Sequence, residues 1–218
     1  MPCNAISTAT VVVSNEEMMK HVDLDMLLEV LVEHFREKGQ AVTSTRNLVD
    51  AVRVEIDSVI AITVNRKGRV TVQDYRNRYA QGDERALADE VRALVEETAG
   101  ILFQARMIET ISEMVPVLGQ EVIPTEVGEA ISMTVNLNGI LSRIIILTNG
   151  EISVYTDEGT FEGGADGIKK LFDSLATAVT FESVSEPEQH RHDGTDKAHE
   201  YQHAHHQAQE RGGRYHRR

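Results

Sequence analysis

His199, His203 and His206 stand at i, i+4 and i+7 near the end of this 218-residue chain, a spacing that would set three imidazoles on one face of a helix. Imidazoles so placed chelate zinc, nickel or copper. His205 and the His190-x-His192 pair lie close by, and seven of the nine histidines fall between His190 and His216. A structural or catalytic metal centre also needs partners that orient its ligands, and the polar stretch around these residues offers none. The expectation is a solvated tail with no resident cofactor that takes up zinc or nickel loosely. Imidazoles titrate near ~6.5, so such a tail would also respond to pH.

A second group of residues could bind rather than react. Arg66, Lys67 and Arg69 crown a turn, and Arg76, Arg78 and Arg85 follow with Tyr75 and Tyr79 interleaved. Cations alternating with stacking rings suit single-stranded nucleic acid, and a charged hairpin tip equally suits an acidic protein partner. The chain as a whole opposes the first use. Its 22 Lys plus Arg face 35 Asp plus Glu, a formal charge of -13, which repels a polyanion. A hairpin turn is also often charged simply because it is wet.

Other chemistry finds no support in the residues. Gly159, Gly163, Gly164 and Gly167 precede an expected helix, yet no phosphate-loop or G-x-G-x-x-G pattern occurs, and Asp157, Glu158, Glu162 and Asp166 would repel an anion there. There is no G-x-S-x-G and no H-E-x-x-H, and the single cysteine, Cys3, excludes an internal disulfide and a cysteine-built zinc site. His34 sits near an apolar helix edge, where a half-exposed structural histidine is expected. An enzyme is therefore the least favoured class, and no catalytic residue is nominated. No apolar run approaches the ~18 residues of a membrane span. The start Met1-Pro2-Cys3-Asn4-Ala5-Ile6 lacks a signal peptide's basic and apolar regions, so the expected compartment is the cytoplasm.

The elements that must position these residues read as α+β. Ile6 to Val13 is an apolar β-rich run, and Ser14 with Glu17 has capping-box spacing at a helix start. Leu24, Leu28, Leu31 and Phe35 repeat at helical spacing up to a stop at Gly39. Thr43 onward is mixed, and Ala51 to Ile56 alternates as a strand. Ile60, Ile62 and Val64 run through Asn65-Arg66-Lys67-Gly68 to Val70 and Val72 as a hairpin. Asp83 can cap a long helix carrying Leu87, Val91, Leu94, Ile101, Ala105 and Ile108 on one face, which Gly100 weakens by ~1 kcal/mol. Ile131 to Val135 is a strand, and Ile144 to Leu147 and Glu151 to Tyr155 flank Thr148-Asn149-Gly150 as a second hairpin. Loop 157 to 167 leads into an amphipathic helix with Ile168, Leu171, Phe172 and Leu175.

Two β-hairpin-plus-helix modules result, preceded by an N-terminal strand and helix. We place the first module at 1–114, a Pro/Gly-containing joint at 115–128, the second module at 129–185 and a disordered His-rich tail at 186–218. The two hairpins overlay at an offset of 82 residues, Gly68 on Gly150, which raises a duplication.

The segment Thr63-Val64-Asn65-Arg66-Lys67-Gly68-Arg69-Val70-Thr71-Val72-Gln73-Asp74-Tyr75, between two helices, resembles the domain-of-unknown-function family twelve-fifty-seven, the Ycf-thirty-five type of plastids and cyanobacteria. Arg143-Ile144-Ile145-Ile146 through Gly150-Glu151-Ile152-Ser153-Val154, with Glu158-Gly159 and the helix 167 to 176, is similar to the small family twenty-nine ninety-seven. The likeness spans residues 40 to 180, without tryptophan and with Ala165-Asp166 where a cysteine is expected. Members of the two families are often encoded together beside an AAA-type ATPase. The resemblance thus implies an accessory protein and carries over no catalytic residue. The leading expectation is a non-enzymatic adaptor subunit of a cytoplasmic assembly, with a protein partner, possible self-association through exposed sheet edges and no membrane. Nucleic-acid binding through the hairpin tip and metal binding through the tail are the alternatives.

Overall fold

Alternation in strand β1 (Ala5–Val12) turns Ser7, Ala9 and Val11 to one side, where all three are buried. The computed structural model describes residues 5–75, 81–125, 128–156 and 161–191. Ser14 ends β1 and starts α1 (Asn15–Met19), its hydroxyl accepting from the Glu17 N–H at 3.2 Å. The Glu17 carboxylate does not close the box. It takes Lys20 and the Thr180 N–H instead.

The helix then breaks, because Asp23 caps a new one with its carboxylate on the Asp25 N–H at 2.7 Å. What reads in sequence as one helix is therefore two. In α2 (Leu24–Glu37) the buried stripe is Leu24, Leu27, Leu31 and Phe35, with Leu28 only half-buried. Gly39 N–H bonds Arg36 O and Gln40 N–H bonds Phe35 O, the paired C-terminal bonds that terminate a helix.

Four strands follow as an antiparallel meander: β2 (Val42–Asn47), β3 (Ala51–Ile56), β4 (Ile60–Asn65) and β5 (Val70–Asp74). Val52, Val54, Ile56, Ile60, Ile62 and Val64 fill the inner face under α2. Strand β2, absent from the sequence expectation, is a polar edge with a bulge between Val42 and Ser44.

Helix α3 (Gln81–Met114) runs along β5 and touches the other three helices. Asp83 lies inside its first turn. The buried residues are Val91, Val95, Ala99, Phe103, Met107 and Ile111, whereas Ile101 and Ala105 from the expected face are exposed. The expected face mixes two apolar stripes, and the one at four-residue intervals faces the core. Gly100 is a point of close approach, where an added methyl would meet the Thr148 carbonyl oxygen at 2.1 Å. Buried Gln104 donates to the Glu129 and Ile146 carbonyls at 2.8 and 2.9 Å.

A second meander, β6 (Val117–Thr125), β7 (Gly128–Leu137), β8 (Ile140–Ile146) and β9 (Glu151–Thr156), precedes α4 (Phe161–Leu175). Residues 115–128, expected as a joint, thus contain an edge strand. Prolines near its two ends do not interrupt its ladder to β7. Strand β1 pairs with β9, so the second sheet takes a strand from the N-terminal side of the expected boundary. Strands β10 (Ser183–Val184) and β11 (Glu188–Arg191) pair with the other edge of β1. The first residues of the expected tail therefore belong to the seven-stranded sheet, since backbone bonding to an open edge needs no apolar side chains. The rest of the tail lies outside the described residues.

Helix α4 begins at Phe161, so Gly163, Gly164 and Gly167 are helical rather than a loop. Ile168, Leu171, Phe172 and Leu175 are buried as expected. A methyl on Gly164 would meet Thr156 Oγ1 at 2.7 Å and Ser7 Oγ at 3.0 Å, so this glycine lets α4 settle onto β1 and β9.

The two hairpins share one register. Ile60↔Asp74, Ile62↔Val72 and Val64↔Val70 become Ser142↔Thr156, Ile144↔Val154 and Ile146↔Ile152 at an offset of 82. Gly68 and Gly150 have positive φ, 73° and 88°. The buried apolar residues of both sheets and all four helices form one cluster. No helix among the described residues is long and apolar enough to cross a membrane.

Two predictions follow from α3. Gly100→Ala should lower stability by about 2 kcal/mol through overpacking, although alanine is the better helix former by ~1 kcal/mol. Thermal unfolding checks it, and an unchanged or raised Tm refutes the close-approach role. Glu90 joins α3 to α2 through Lys38 at 2.5 Å and His34 at 2.6 Å. The Lys38 hydrogen bond, then that of His34, holds its carboxyl below the ordinary glutamate value against the opposing effect of partial burial. A lowered carboxylate pKa stabilises above the unfolded-state value, and that contribution disappears as pH falls through the folded-state value. Glu90→Gln should be less stable at neutral pH and lose less stability below the ordinary glutamate range, measured as Tm against pH.

Candidate binding face on the four-stranded sheet

The tip of the β4–β5 hairpin is held by its own asparagine. Asn65 Oδ1 accepts from the Lys67 and Arg69 N–H groups at 3.0 and 2.9 Å, and Arg66 N–H donates to Asp50 O. The tip does not project freely. Gly68 packs on Met19 of α1, where an added methyl would meet Cγ at 3.3 Å. Lys67 Nζ lies 2.9 Å from Glu16, and Arg66 Nε lies 3.7 Å from Asp50. Two of the three expected binding cations at the tip thus face carboxylates of the same chain, and Arg69 is exposed.

Tyr75 is elsewhere. Five residues of β5 at roughly 3.4 Å each separate it from the tip, and its N–H bonds Val59 O at the far end. Its ring lies 5.8 Å from the Arg53 guanidinium, which also hydrogen-bonds its hydroxyl. The same guanidinium donates to Glu55 Oε1 at 3.1 and 3.3 Å. Arg46 on β2 is the cross-strand neighbour of Arg53, and Thr63 and Thr71 complete that row across β4 and β5. Glu55, Ala61 and Gln73 form the adjacent row. This is the face opposite Val52 and Val54. Arg46, Thr71 and Gln73 are exposed there, and Arg53, Glu55 and Thr63 half-buried.

The structure therefore joins Tyr75 to Arg53 and places Arg46 beside Arg53 on the same face, two arginines absent from the expected binding residues. Arg53 was readable as an outward position of the alternating strand Ala51–Ile56. Arg46 was not, because Val42 is the single apolar residue in β2. Arg76, Arg78 and Tyr79, and the histidines His199, His203 and His206, lie outside the described residues. Among the described residues no three His, Cys, Asp or Glu side chains converge as metal ligands. Two open depressions, of about 290 and 340 Å³, lie at the two ends of the α2–β2 groove, the first beside Asp23, Asn47 and Arg66, the second beside Leu28, Val32 and Thr45.

The Lys67 hydrogen bond and charge hold the Glu16 carboxyl below its ordinary value. Lys67→Ala should raise the Glu16 titration midpoint towards that value, read by NMR of the side-chain carboxyl. An unmoved midpoint would mean that the pair does not persist in solution. No protein-family model and no curated protein matches this chain.

Proposed function

We propose that the chain is a non-enzymatic accessory or adaptor subunit of a cytoplasmic assembly, holding an acidic segment of a protein partner on the outer face of its four-stranded sheet. The observation that carries this reading is that Arg46, Arg53 and Tyr75 share a face of a hydrogen-bonded sheet on which no helix packs among the described residues. Arginine and tyrosine are enriched among the residues that dominate the energetics of protein interfaces, tyrosine because it buries a large area with two torsions to freeze, arginine because its planar fork offers several oriented donors. Arg53 is already oriented by Glu55 and Tyr75, so binding need not order it. Arg53 is paired with Glu55, whereas Arg46 is exposed and forms no ion pair among the described residues. Against a chain charge of -13, it is therefore Arg46 that makes a local attraction for an acidic surface and repels basic ones. The AAA-type ATPase implied by the family resemblance is the first partner to test. Nucleic acid is the lesser reading, since Arg66 and Lys67 are committed to Asp50 and Glu16.

The test is mass spectrometry of what co-purifies with the full-length chain from its own host, at moderate salt and after nuclease. A stoichiometric protein should be retained by the wild type and by Lys67→Ala, and reduced at least about tenfold by Arg46→Glu and by Tyr75→Ala. A partnerless wild type, or a partner indifferent to both variants, overturns the reading. Retention that nuclease abolishes would select nucleic acid instead.

A further inference from the structure

Strand β6 closes the seven-stranded sheet, and among the described residues it pairs with β7 alone. Its other side presents a row of backbone donors and acceptors, a surface that another strand satisfies. The strand is nine residues long and bears one charged residue, Glu121. Its two largest exposed apolar side chains, Leu118 and Val122, are 61% and 55% accessible. A bulge between Val117 and Gly119 leaves Leu118 without a partner in β7.

The sequence of this edge is complementary to itself. Pro116 and Pro124 lie at equal distances on either side of Gln120. An antiparallel two-fold centred on Gln120 opposes Leu118 to Val122, Gly119 to Glu121 and Val117 to Ile123. It also sets the two prolines, which have no N–H to offer, opposite each other at the ends. A centre one residue later would oppose Glu121 to Glu121. A centre on Val122 would leave Leu118 with no opposing residue in the strand. Only the Gln120 register matches both exposed apolar residues and keeps the acids apart.

We infer that β6 is a homodimerisation edge: a second copy of this chain adds its β6 antiparallel about a two-fold axis at Gln120, joining two seven-stranded sheets into one. This surface is separate from the Arg46–Arg53–Tyr75 face and stands without the adaptor reading.

The experiment is sedimentation equilibrium of the full-length chain over a concentration series, for the wild type, Gln120→Lys, Gln120→Glu and an equimolar mixture of the two variants. Gln120 is exposed on the edge, so neither substitution threatens the core. The wild type should sediment at twice the 24.3 kDa chain mass. Each variant alone places like charges opposite each other and should dimerise about fivefold more weakly. The mixture should restore or exceed wild-type association through a Lys–Glu pair. A monomeric wild type overturns the inference. So does a dimer that ignores the charge at Gln120, or a mixture no tighter than its components.

Discussion

Helix α3 has to serve as core for two sheets at once, and the interval between its apolar residues makes that workable. From Val91 to Ile111 a buried side chain recurs at every fourth position. With about 3.6 residues per turn, each four-residue step overshoots a full turn by about 40°. The buried stripe therefore winds around the helix, and Val91 and Ile111 end on nearly opposite sides. The helix runs along β5, and Glu90 in its first half is clasped by Lys38 and His34 of α2. Further along, Gly100 lies against the Thr148 carbonyl and Gln104 binds two carbonyls of the seven-stranded sheet. The shared core depends on this arrangement, and so does the exposure of the outer face of the four-stranded sheet, because α2 and α3 are engaged on its inner side.

Elements that bury apolar side chains were legible in the sequence, and elements built on backbone bonding were not. Both hairpins, the stripe of α4 and the stop at Gly39 follow from alternation, periodicity and turn residues. Strands β2, β6 and β10 lie on edges, bury little and show no alternation that separates them from loops, and β11 is wholly polar in sequence. They form because a neighbouring strand supplies the other half of each hydrogen bond. In α3 the apolar residues are numerous enough to draw two faces. Choosing between them needed the contacts of Gly100 and Gln104, which lie far away in sequence.

The same limits apply to the candidate site. Proximity in sequence grouped Tyr75 with Arg66, Lys67 and Arg69, but a strand converts six residues of separation into roughly 20 Å along its length. Cross-strand neighbours decide what Tyr75 meets, and Arg53 lies twenty-two positions earlier. Charge counting had a similar blind spot. It registers Arg66 and Lys67 as basic, whereas Asp50 and Glu16 meet them in space and leave the tip closer to neutral than its composition suggests.

The placement of β1 has a consequence for how the chain comes to be folded. Its backbone pairs with Thr156, whose side chain takes the Ser7 N–H from 149 positions away, and then with residues of β10 and β11. During synthesis at about 5–20 residues per second, the nascent strand is without both neighbours for on the order of ten seconds, while α2 and the four-stranded meander already have all their partners. That interval exposes both edges of an apolar strand on the ribosome. A strand made before all of its pairing partners is therefore among the last elements to find its place.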